Sequence, residues 1–113
     1  MSIVKKDIPT ITVDVPVQVP QAEKQSTIQA EWVLHDWDEY RKINDETQKG
    51  TKTDEDLLAD LKGLGGIKGE DGNDLPFDDE LVQWAMQKTY IRRPLILSWF
   101  AAQEGRSQAA AKN

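Results

Sequence analysis

The chain has no cysteine, a single histidine and no long uninterrupted apolar run. Without cysteine it has no disulfide framework, no thiolate nucleophile, no zinc finger and no iron–sulfur centre, a composition that suits a reducing compartment. His35 stands alone, which excludes a multi-histidine metal site and handicaps any histidine-paired catalytic group elsewhere. The chain opens with Lys5, Lys6 and Asp7 rather than an apolar signal core, and no segment approaches a membrane span, so a cytoplasmic protein with no membrane partner is expected.

What remains is 113 residues with a formal charge of -6 and 38% hydrophobic content, enough for one small acidic domain. Domains of this size bury a modest share of their surface and often gain stability by association, so a homo-oligomer is expected. Charge is unevenly placed. Residues 35–80 carry six Lys/Arg against fifteen Asp/Glu, whereas residues 81–113 carry five against one. Nucleic acid is not an expected partner, because Arg92 and Arg93 are too little to reverse the overall repulsion.

Period-two alternation runs through Ile11, Val13, Val15, Val17 and Val19, predicting a strand over about 10–19. Pro16 lacks the N–H a ladder needs, so this strand is expected to be interrupted there or to lie at an edge. Ile28, Ala30, Trp32 and Leu34 predict a second strand over about 26–34, pairing with the first as an antiparallel hairpin.

The rest reads as about four short helices, giving an α+β fold with the hairpin in front. Asp36 and Glu39 resemble a capping box for a helix over about 37–47. Thr53 and Asp56 open a second over about 53–62, closed by Gly63. Asp78 caps a third over about 79–88, with Phe77 and Val82 as a hydrophobic staple. Pro94 suits the first turn of a last helix over about 94–104. Residues 1–105 form the expected single domain, and 106–113 the expected mobile tail.

Gly63 to Asn73 is glycine-rich, yet it lacks the third glycine of a dinucleotide fingerprint and the GKS or GKT of a nucleotide-binding loop. Asp71-x-Asn73 begins like a calcium loop but fails, because Leu75 takes a ligand position and Pro76 the place of the glycine. No cofactor, metal site or catalytic residue is expected. Asp71-Gly72 instead predicts a tight turn that brings Leu64–Ile67 toward Leu75–Phe77.

Binding has more support than catalysis. Four tryptophans are many for so small a chain. Trp32 and Trp84 read mainly as core. The last helix is apolar around much of its circumference, so Trp99 and Phe100 are either core or a partner-binding pair. Ile96, Tyr90 and Trp84 complete the candidate partner-binding set.

The run Gly65-Gly66-Ile67-Lys68-Gly69-Glu70-Asp71-Gly72-Asn73-Asp74-Leu75-Pro76-Phe77-Asp78, the helix at Leu81 to Met86, Tyr90-Ile91-Arg92-Arg93-Pro94-Leu95, the pair Trp99-Phe100 and the terminal Lys112-Asn113 together resemble the tail assembly chaperones of long-tailed bacteriophages. The chain departs from that pattern at Leu64, where many relatives have tryptophan, and at Pro94, which replaces a small helix-forming residue. The resemblance implies a non-enzymatic factor, in its short form, in the cytoplasm of the infected host and absent from the mature virion. It implies binding to the tape measure protein, and to the tail tube protein chiefly through a frameshifted long form. The alternatives are a small acidic inhibitor of a host enzyme and a minor structural subunit of the virion.

Overall fold

The alternation in the first third of the chain becomes a β-hairpin. In the computed structural model, which describes residues 2–109, β1 (Thr10–Val17) pairs antiparallel with β2 (Ser26–Val33), Val13 opposite Ala30 and Val15 opposite Ile28. The predicted faces hold: Val13, Val15, Val17, Ile28, Ala30 and Trp32 are buried. The opposite face is polar, with Thr10 Oγ1 donating to Glu31 Oε2 at 2.8 Å.

β1 passes through Pro16 without a break. On this outer edge Asp14 N donates to Ser107 O at 2.8 Å and Ala109 N donates to Thr12 O at 2.9 Å. Pro16 has the same parity as Thr12 and Asp14, so its missing N–H belongs to the outer edge rather than to the ladder with β2. The same bonds correct the reading of 106–113 as a mobile tail, because residues 107–109 lie against β1, with Gln108 bridging Val13. Residues 110–113 lie outside the described residues.

α1 (Trp37–Lys49) ends at Gly50, whose φ of 81° closes the helix in the left-handed region. Asp36 is its N-cap but makes no side-chain capping bond, so the expected Asp36–Glu39 box does not form. The Glu39 carboxylate instead sits 3.6 Å from His35 Nδ1. The Thr53–Asp56 box forms reciprocally and opens α2 (Asp54–Leu57).

The predicted helix over 53–62 is corrected. It stops at Leu57, a 3-10 turn covers Leu58–Asp60, and Leu61–Gly65 becomes β3, the third strand of the sheet in the order β1-β2-β3. Leu61 lies opposite Trp32 and Leu64 opposite Ala30, with a register shift between Glu31 and Trp32. That irregularity lets two residues three apart both face the core.

Beyond β3, Gly66 takes φ 84°, and a Cβ there would lie 3.1 Å from Thr27 O and 3.2 Å from Ile28 Cα. The tight turn at Asp71-Gly72 forms, and Leu75 N donates to Ile67 O at 2.9 Å, joining the two flanks. Asp78 accepts from Leu81 N at 2.8 Å and caps α3 (Asp79–Gln87).

α4 (Thr89–Gln103) starts five residues before the expected Pro94, which lies inside it. The bond lost there would have gone to the carbonyl of Tyr90, near the start of the helix. Lys88 O meanwhile accepts from both Ile91 N and Arg92 N at 2.8 Å, which secures the first turn. α4 packs across the apolar face of the sheet, mainly over β1, and α3 packs on α4. Ile91, Leu95, Ser98, Trp99 and Ala102 form its buried stripe at helical spacing.

Candidate partner-binding surface

The inward side of α4 is fixed by polar contacts that its apolar residues do not reveal. Trp32 Nε1 donates to Ser98 Oγ at 2.9 Å, and that hydroxyl donates onward to Leu95 O. Trp99 Nε1 donates to Asp60 Oδ2 at 2.8 Å, and His35 Nε2 meets the same oxygen at 2.7 Å. Tyr40 stacks on the Trp99 ring with centroids 5.8 Å apart. Gln103 ties the end of the helix to the β2–α1 joint, accepting from His35 N at 2.9 Å and donating to Val33 O at 2.8 Å. Four segments therefore hold α4 in one rotation about its axis.

The candidate pair is split by this arrangement. Trp99 is 0% exposed, and its indole N–H is already engaged, so it is core rather than a contact for a partner. Ile96 is buried as well. Phe100 and Tyr90 are half-buried on the flanks of α4, and Trp84 on α3 is 44% exposed. The five residues thus do not form one patch.

Sequence reasoning missed Leu97, which is 64% exposed between buried Ile96 and Ser98. At 100° per residue, Tyr90, Arg93, Pro94, Phe100 and Ala101 fall within about 60° on either side of it. All are exposed or half-buried. Together they make a mostly apolar outward stripe along α4, the shape that packs against another helix. Arg92 lies about 140° around the helix from Leu97, off the stripe, and is occupied: Nε donates to Asp54 at 3.0 Å, Nη2 to Glu55 at 2.8 Å and Nη1 to Met86 O at 3.3 Å. The hydrogen bond from Arg92 holds the Glu55 carboxyl below its ordinary pKa, and the Glu55 carboxylate raises that of the guanidinium.

A second apolar feature borders α3. Leu75, Pro76, Leu81 and Trp84, with Asp78 and Glu80, line a notch of about 360 Å³. Phe77 and Val82, the expected staple, line a smaller crevice beside Leu58 and Leu61.

A cleft of about 510 Å³ runs between α1 and the α2 region and is lined by the His35–Asp60 pair. Asp60 binds both the imidazole and the Trp99 indole, an arrangement that locks three segments together. Among the described residues the cleft presents carboxylates and lysines but no serine, threonine or cysteine that the pair could activate. No cluster of three or more His, Cys, Asp or Glu able to hold a metal ion occurs among the described residues. No described helix is long and apolar enough to cross a membrane. Comparison of the chain with family models, curated proteins and solved structures finds no match in any of the three.

Proposed function

We propose that this chain is a non-catalytic tail assembly chaperone of a long-tailed bacteriophage, in its short form, working in the cytoplasm of the infected bacterium and left out of the finished virion. The observation that carries the reading furthest is the outward stripe of α4. Leu97 stands exposed at its centre, and the buried side of the helix is too firmly bonded for the stripe to turn inward. In this reading the stripe receives helical segments of the tape measure protein by helix-to-helix packing. One such contact is weak, and many copies along a long client supply avidity. The tube protein joins chiefly through an extension carried by a frameshifted long form.

The acidic middle of the chain offers less to a host-enzyme inhibitor. α1 interleaves Arg41, Lys42 and Lys49 with Asp38, Glu39, Asp45 and Glu46, so its surface is of mixed sign.

Co-expression with the tape measure protein of the same genome, followed by size-exclusion chromatography with light scattering, tests the proposal. A soluble complex with several copies of this chain per client supports it. A tape measure protein that stays insoluble or elutes separately counts against it, as does finding this chain in purified virions.

A further inference from the structure

We propose that residues 3–8 of one copy dock in the α3 notch of a second copy, making an arm-to-notch interface that joins copies of this chain. The segment leaves the sheet where Leu34 N donates to Pro9 O at 2.9 Å, and the residues before it have no secondary structure. It is apolar where apolar groups ought to be covered: Ile3 is 100% exposed and Val4 69%. Between these residues and Ile8, which is also exposed, come Lys5, Lys6 and Asp7, a net charge of +1. An extended apolar segment in water gains by finding a concave apolar surface.

The notch offers that surface with the opposite charge. Leu75, Pro76, Leu81 and Trp84 line it together with Asp78 and Glu80, and Lys88 Nζ lies 5.8 Å from the centre of the Trp84 ring. Asp78 is committed to capping Leu81 N. Among the described residues Glu80, Lys5 and Lys6 make no ion pair with one another or with other groups. Ile3 and Val4 against Leu75 and Trp84 supply burial, and a lysine of the arm facing Glu80 supplies register and disfavours a like-charged segment. In the single chain the arm lies in solvent and the notch is open, so the second copy is the occupant proposed. Reciprocal exchange closes a two-fold dimer, whereas one-way exchange propagates a chain of copies.

This interface involves neither Leu97 nor the α4 stripe and is tested without client, so its failure is separate from failure of the chaperone reading. Sedimentation equilibrium on the full chain is the measurement. Wild type is expected to rise above the 12.8 kDa monomer with concentration. Lys5→Glu with Lys6→Glu, and separately Glu80→Lys, should each weaken self-association at least tenfold. An equimolar mixture of the two charge-reversed variants should associate again, because the acidic arm of one meets the basic notch of the other. Ile3→Asp with Val4→Asp should abolish association without lowering the melting temperature, since neither side chain is packed in the monomer. A monomeric wild type, including one whose arm folds back on its own notch, overturns the proposal. So does association that survives the arm substitutions, or a mixture that fails to recover.

Discussion

The indole N–H of Trp99 donates to the Asp60 carboxylate at 2.8 Å, joining the middle of the last helix to the 3-10 turn that precedes β3. Because His35 Nε2 reaches the same oxygen, one carboxylate links α4, that turn and the entry to α1. This relationship decides which residues of α4 are available to a partner. It turns Trp99 inward and leaves Leu97, two residues earlier, outside.

Asp60→Ala leaves both the indole N–H and the imidazole without their acceptor and is expected to cost about 1–3 kcal/mol. Asp60→Asn, which keeps an acceptor oxygen, should cost less. Trp99→Ala removes the buried ring as well and should cost about 3–5 kcal/mol, enough to unfold a marginal domain. Urea denaturation monitored by circular dichroism checks the ranking, and an Asp60→Ala protein as stable as wild type would show that the bond does not hold the helix.

Gly66 and Gly72 share φ 84°, yet their surroundings differ. Alanine at either position adopts a left-handed conformation that costs about 1–2 kcal/mol. At Gly66 the added methyl also meets backbone atoms of Thr27 and Ile28, which cannot swing away as a side chain can. Gly66→Ala should therefore lower the melting temperature more than Gly72→Ala, and equal losses would contradict the close approach of β2 to this turn.

Arg92 gives stability an acid limit of predictable sign. Glu55 has its pKa lowered in the folded chain, chiefly by the Arg92 hydrogen bond, so as pH falls the unfolded chain takes up the proton first. The contribution is complete above the ordinary glutamate pKa, about 4.3, and is lost as pH drops through the lower folded value. The stability gap between wild type and Arg92→Met should be constant above about pH 5.5 and narrow below about pH 4. It should also be small and shrink with salt, because both acidic partners are well exposed. Melting curves across pH check this, and a gap independent of pH would contradict the assignment.

The hairpin was legible because one face of each strand is buried, which imposes strict alternation from Ile11 to Val17 and from Ile28 to Trp32. β3 was hidden for the opposite reason. Its Leu61 and Leu64 continue the spacing of Leu57 and Leu58, a helical pattern, and the register shift against β2 puts both leucines on one face of a strand. Gly63 and Gly65 are poor strand formers, so it is pairing with β2 rather than local preference that makes this segment a strand. The contact of residues 107–109 with β1 uses backbone groups, which leave no mark on side-chain pattern.

α4 was legible as a helix with a broad apolar surface, and its exposed arc was not. A helix apolar around most of its circumference announces a surface to be covered without saying which arc faces inward. That choice rests on Asp60 and Ser98, one of them distant in sequence, accepting from the indoles of Trp99 and Trp32. Once those bonds are known, Leu97 follows by helical spacing.

Leu97→Asp tests the chaperone account most directly. The side chain is exposed, so the change should move folding stability by no more than about 0.5 kcal/mol, while a carboxylate is placed at the centre of the proposed helix-packing stripe. Co-expression with the tape measure protein and affinity capture of this chain is the measurement. The expected result is a folded Leu97→Asp protein, with the circular dichroism and melting temperature of wild type, that no longer retains the client. A folded Leu97→Asp protein that captures the tape measure protein as fully as wild type would contradict the account.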